Sequence, residues 1–167
     1  MTLPVARTRD EARLYLDLTP CECGAVDADW QHATGVQDGD LVSVYDATCE
    51  QCGVDREYAF GLPAKETAGE FPNFGADEPS QLIDAGRWIA LADQLAGALP
   101  PDDPQTTVHA MRIAVAAVDE VIKFVPPHQD AVPPSAFWTP EGRAVYDANP
   151  GRFHRRRLEF VRDTYRT

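Results

Sequence analysis

Four cysteines in two tight pairs constrain this chain more than any other feature. They occur in Cys21-Glu22-Cys23-Gly24 and Cys49-Glu50-Gln51-Cys52-Gly53, with 25 residues between Cys23 and Cys49. A close pair offers two thiolates from one turn, and two such turns complete a tetrahedral metal site with zinc–sulfur bonds of about 2.3 Å. The glycine after each pair suits a turn that aims backbone N–H groups at sulfur and needs a positive φ. The expectation is one structural zinc ion held by Cys21, Cys23, Cys49 and Cys52. Spacing alone leaves other uses open: a pair of disulfides, free buried thiols, iron, or a redox site at Cys49 and Cys52. His32 lies between the pairs and could replace one thiolate, although a histidine on a strand surface is the simpler reading.

The two cysteine turns resemble the knuckles of a zinc ribbon, in which they cap a small β-sheet. The resemblance covers residues 19–62. The second knuckle follows the usual Cys-x-x-Cys-Gly pattern, whereas the first is Cys-x-Cys-Gly, one residue short, and must turn more tightly. The resemblance implies that all four cysteines are ligands and that none is catalytic. A closed four-thiolate site leaves zinc no open position for water, which argues against hydrolysis at the metal.

The rest of the composition narrows the class of protein. At 167 residues the chain is long enough for one domain plus a small appended module, and 44% apolar and 25% charged residues are ordinary for a globular protein. It has no run near the roughly 20 apolar residues that a membrane-spanning helix needs. The first residues, MTLPVARTRDEARLYL, lack the apolar core and cleavage site of a secretory signal, so a cytoplasmic protein is expected. Reduced thiols in that compartment favour metal over disulfide. Thirteen Arg against two Lys, with abundant Ala and Pro, is the bias of a GC-rich bacterial genome.

The net charge of −12 is unevenly spread. Residues 141–167 carry seven Arg and four acids, so residues 1–140 carry −15. Such a surface repels a phosphate backbone and attracts a basic protein partner, though acidity also serves solubility alone.

Periodicity divides the chain. Residues 8–18 read as a short helix with Thr8 and Glu11 in a capping box. Three β-prone runs follow, Val26–Val36, Leu41–Thr48 and Val54–Leu62, with Gln37-Asp38-Gly39-Asp40 as a hairpin turn. Residues 63–79 have no periodicity and read as a linker. Leu82, Ile83, Ile89, Ala92, Leu95, Ala96 and Leu99 then trace a helix face that Pro100-Pro101 ends. Asp103-Pro104 opens a second helix, with Val108, Met111, Val115, Val118, Ile122 and Val125 as its core stripe. Thr139-Pro140 and Asn149-Pro150 open two more. The expected fold is α+β: residues 1–62 form a short helix and ribbon-like module, and residues 80–167 a bundle of about four helices.

Nothing outside the cysteines nominates a catalytic residue. Glu78, Asp84, Asp93, Asp119 and Glu120 fall on helical stretches and read as solvent-facing acids, while His109, His128 and His154 have no partner at telling spacing. Arg143, Arg152, Arg155, Arg156, Arg157, Arg162 and Arg166 form the basic cluster, but consecutive helical residues fan apart and cannot all meet one ligand. Phe137 and Trp138 end a proline-rich loop and read as its anchors onto the core, or as an exposed contact for a partner. These features point to a non-catalytic, zinc-braced binding protein, in its most specific form an immunity or antitoxin-like neutraliser of a basic bacterial toxin. A nucleic-acid-associated regulator is the alternative, followed by an enzyme whose site is not readable from sequence.

Overall fold

In the computed structural model, which describes residues 2–98 and 102–167, the chain is α+β and divides into two compact units, Met1–Ala76 and Asp77–Thr167. The expected positions of Leu99 and Pro100-Pro101 lie outside the described residues.

The first unit places helix α1 (Arg9–Asp17) against a three-stranded antiparallel sheet, β1 (Gln31–Gln37), β2 (Asp40–Thr48) and β3 (Asp55–Gly61), in the order β1-β2-β3. Strands β1 and β2 meet at Asp38 (φ 52°) and Gly39 (φ 86°), two consecutive left-handed residues of the kind a tight two-residue hairpin requires. That turn sets the register: Gln37 pairs with Asp40, Thr34 with Ser43 and His32 with Tyr45. Strand β1 begins at Gln31, later than the β-prone run suggests, because Val26–Trp30 belong to the approach from the first cysteine turn. The buried face of β2, with Ser43, Tyr45 and Ala47, continues into Phe60 of β3. There the Tyr15 ring of α1 meets Phe60 edge-on at 5.7 Å, and Phe60 meets Tyr45 at 5.9 Å. Such edge-to-face packing is the favoured aromatic arrangement.

Helix α1 starts as expected, with Thr8 accepting the Glu11 amide at 3.1 Å. The reciprocal half of the capping box is replaced. Glu11, fully buried, turns back to Arg7 instead, accepting its backbone N–H at 2.9 Å and its guanidinium at 3.1–3.2 Å. The aperiodic segment after β3 folds onto this end of α1. Asn73 donates its amide to Asp10 at 2.9 Å and accepts the Thr8 hydroxyl at 2.5 Å, and Phe74 is buried.

The second unit contains α2 (Ala85–Gly97), α3 (Pro104–Lys123), α4 (Pro140–Ala148) and α5 (Arg155–Arg166). Helix α2 starts later than the apolar spacing implies. Leu82 and Ile83 are buried, but they lie in a turn whose amides both donate to Ser80 Oγ at 3.1 Å, and Asp84 is the N-cap. Helix α3 is capped by Asp103 as expected, yet its buried face is Ala114, Ala117, Val118, Glu120 and Val121, while Val108 is 55% exposed. Of the expected stripe, Val118 and Val125 are buried, Met111, Val115 and Ile122 are half-buried and Val108 is exposed, so the buried face is that stripe shifted toward Ala114, Ala117 and Val121. Thr139 caps α4 by accepting the Gly142 amide at 2.9 Å. Asn149 makes no side-chain cap, and a 3₁₀ turn at Pro150–Phe153 precedes α5.

Two acids expected at the surface are buried here. Asp84 is fully buried, and Glu120, 3% exposed, is held by Lys123. Gly86 and Gly142 explain how closely α2 and α4 approach. A Cβ on Gly86 would sit 2.3 Å from the Gly142 carbonyl oxygen, and one on Gly142 would sit 2.1 Å from Asp84.

Candidate metal centre

The four sulfurs converge. Those of Cys21, Cys23, Cys49 and Cys52 all lie within 4.8 Å of one another, with Cys21–Cys52 and Cys23–Cys49 each at 3.6 Å. Four thiolates at about 2.3 Å from a tetrahedral ion would stand about 3.8 Å apart, close to that spacing. A disulfide needs sulfurs at about 2.05 Å, so none of these pairs is bridged. Cys21 and Cys49 are buried, and Cys23 and Cys52 are open to solvent.

Both cysteine turns are closed in the same way, which resolves the missing residue in the first. Cys21 N–H donates to Ala25 O at 2.9 Å and Gly24 N–H returns to Cys21 O at 2.8 Å. In the second turn Cys49 N–H donates to Val54 O at 2.9 Å and Gly53 N–H returns to Cys49 O at 2.8 Å. The first turn closes over three residues and the second over four, and Gly24 (φ 92°) and Gly53 (φ 77°) occupy the left-handed position in each. An L side chain rarely adopts that conformation.

The local electrostatics suit cation binding. The amides of Cys52 and then Gln51 donate to the Cys49 sulfur and lower its thiol to about 6, with the Cys23 and Cys52 thiols assisting against desolvation. The Val54 amide likewise lowers Cys52, but the Cys21 thiol, desolvation and the remaining two thiols outweigh it and raise Cys52 to about 12. Four sulfurs this close cannot all ionise unaided, because like charges at this distance disfavour one another. A divalent cation removes that conflict, and the donor set, four soft sulfurs, fits zinc or iron. Among the described residues these cysteines are the one group of three or more metal-ligating side chains that converges.

His32 is not part of this cluster. It stacks on Tyr45 with ring centroids 4.7 Å apart and places Nε2 2.8 Å from Ser43 Oγ. The basic cluster is largely engaged with acids. Arg152 makes a bidentate pair with Asp93 at 2.7 and 2.8 Å, Arg162 meets Asp119 at 3.2 Å, and Arg143 meets Asp147 at 3.3 Å. Phe137 is buried against Phe153 at 4.7 Å, and Trp138, 48% exposed, meets Phe124 at 6.0 Å, so the loop is anchored chiefly by the first aromatic and leaves the second half-exposed. No helix of the described residues is long and apolar enough to cross a membrane. The Ser43–His32 pair and the buried Asp84 were not apparent as sites in the sequence. The hairpin register would have revealed the first, since the Asp38-Gly39 turn alone sets His32 opposite Tyr45 and Thr34 opposite Ser43. No protein-family model, curated protein or solved structure matches this chain.

Proposed function

We propose that this chain is a protein-binding protein whose N-terminal part is folded, in the manner of a zinc ribbon, by one structural zinc ion on Cys21, Cys23, Cys49 and Cys52. The observation that carries this reading is the convergence of four unbridged sulfurs within 4.8 Å on two glycine-closed turns. Four protein ligands would fill the coordination shell, so the metal braces the sheet and leaves no position for a reacting water. Zinc is preferred to iron because a closed tetrathiolate held by two tight turns needs no redox role to account for it. Unbridged thiols suit a cytoplasmic setting. In this reading the ribbon (residues 1–62) and the helical bundle (residues 80–167) are separate folding parts joined through residues 63–79.

The partner is a basic protein, in the most specific version a bacterial toxin that this chain neutralises. The charge of −15 on residues 1–140 supports that choice, because complementary charge speeds encounter and selects the partner. Engagement of Arg143, Arg152 and Arg162 with acids weakens the nucleic-acid alternative, since paired guanidiniums are poor phosphate ligands.

Two measurements test the proposal. Elemental analysis of protein purified under reducing conditions should find one zinc per chain, and zinc below a tenth of that, or iron in its place, would overturn the metal assignment. Mixing with the products of neighbouring genes should yield a complex at micromolar concentration that weakens with salt. Retention on DNA at low salt would favour the alternative.

A further inference from the structure

The first unit contains a cleft of about 500 Å³ between the start of α1, strands β1 and β2, and the segment after β3. Its volume falls in the range of pockets that enclose small molecules, roughly 300–1,000 Å³. Both members of the Ser43–His32 pair line it. We propose that this cleft is a hydrolytic site for small neutral carboxylic esters, with Ser43 as nucleophile and His32 as its general base.

The geometry supports each role. Ser43 Oγ and His32 Nε2 are 2.8 Å apart, within the reach a base needs to take a hydroxyl proton. The residues are diagonal neighbours on adjacent strands and share one face of the sheet, so the rigid hairpin ladder sets their separation. In a serine hydrolase a third group holds the imidazole in place. Here the buried Tyr45 ring packs beside the imidazole, 4.7 Å away at an interplanar angle of 37°, while His32 itself is open to solvent. Ser43 is 8% exposed, so the hydroxyl sits at the floor of the cleft and not on the outer surface.

The lining sets the substrate class. Arg7 is neutralised by its buried ion pair with Glu11, which leaves Arg9 against Asp10 and Glu66, so the lining excludes an anion and suits an uncharged polar molecule. Arg9, Thr34 and Thr67 line the same space and carry the kind of donor group that a developing oxyanion needs.

The reaction balances with water as the co-reactant. As Ser43 Oγ bonds to the ester carbonyl carbon, its proton passes to His32 Nε2. Collapse of the tetrahedral intermediate breaks the bond to the alcohol oxygen, which leaves with the proton from His32. Water then attacks the acyl-Ser43 carbonyl and gives its proton to His32; collapse of this second tetrahedral intermediate breaks the carbon–Oγ bond, Oγ takes the proton back from His32, and the carboxylic acid leaves.

The test treats the full chain, purified under reducing conditions, with a fluorophosphonate and maps the adduct by peptide mass spectrometry. The adduct position is the readout because thiols and surface imidazoles also cleave activated esters. A single adduct on Ser43 is expected, forming about 100-fold more slowly in H32Q, in line with the loss of a general base. The Ser43-dependent part of 4-nitrophenyl acetate turnover, the rate in excess of that in S43A, should fall about 100-fold in H32Q, with the S43A melting temperature preserved. If S43A does not fold, the wild-type adduct map and the H32Q rate decide. Absence of an adduct on Ser43, or equal labelling rates in wild type and H32Q, would reduce the pair to a cross-strand hydrogen bond and overturn the proposal. None of these readouts depends on which metal the cysteines hold.

Discussion

The carboxylate of Asp84 caps two helices at once, because it grips Thr139, which is itself the cap of α4. Asp84 Oδ1 accepts the Arg87 amide at 2.9 Å and so closes α2. Its Oδ2 accepts both the Thr139 amide at 2.8 Å and the Thr139 hydroxyl at 2.7 Å, and the Thr139 oxygen in turn accepts the Gly142 amide. The start of α2 and the start of α4 are thereby joined through one buried carboxylate.

Removing that carboxylate leaves two amides and a hydroxyl without their acceptor in the interior. D84A is expected to cost about 3–5 kcal/mol of stability in urea unfolding, and D84N about half of that because one acceptor oxygen survives. T139A should cost less than D84A, and a D84A/T139A cycle should show a coupling of about 1–2 kcal/mol.

The close crossing of α2 and α4 makes a second expectation. G86A forces a Cβ to within 2.3 Å of a backbone oxygen, and G142A drives one into the Asp84 carboxylate. The first neighbour is backbone and the second is a carboxylate held by three hydrogen bonds, so relief requires the helices to separate or those bonds to break. Each substitution should cost about 1–3 kcal/mol or more, whereas G97A, with open space around it, should leave the thermal midpoint nearly unchanged or slightly raised.

Arg7 and Glu11 form an ion pair with both side chains almost fully inaccessible, at 3% and 0% exposure. Removing one partner strands a buried charge, so E11A or R7A alone should cost about 3–5 kcal/mol. Replacing both together with apolar residues, as in R7M/E11L, should cost markedly less than the sum of the two single substitutions. Calorimetry of the three variants checks this.

Metal removal should act unequally on the two units. With a chelator present, the Trp30 and Tyr45 environment and the β-sheet signals of the first unit should be lost, while the helical signals of α2 to α5 persist. C49S should reproduce the chelator effect. Amide chemical shifts resolved by residue distinguish the two units directly.

The Asp103 cap carries a pH signature. The Thr106 hydroxyl, then the Thr106 amide, hold its carboxyl below the ordinary 3.8, against slight desolvation, with the Gln105 amide adding to the effect. Its folded value is therefore lower than its unfolded one. The sign follows: the cap contributes stability above the unfolded value and loses it as pH falls through the folded value. A carboxyl titration by NMR should place the Asp103 midpoint below 3.8, and D103N should move it out of the titration without altering α3 at neutral pH.

Much of this was readable from residues alone where the physics is local. The tight turns that carry Cys21 with Cys23 and Cys49 with Cys52, the positive φ at Gly24, Gly39 and Gly53, and the caps at Thr8, Asp103 and Thr139 each depend on a few neighbouring residues, so spacing reveals them. The burial of Asp84 and Glu11 and the exposure of Val108 depend on partners distant in the chain or on which surface packs. A carboxylate looks equally solvent-bound until a partner helix closes over it, and Val108 looks like the rest of its stripe until packing leaves it outside. Local sequence thus determined the turns and the caps. Only tertiary packing decided which polar groups were taken out of water, because desolvation is a property of the assembled surroundings and not of the residue itself.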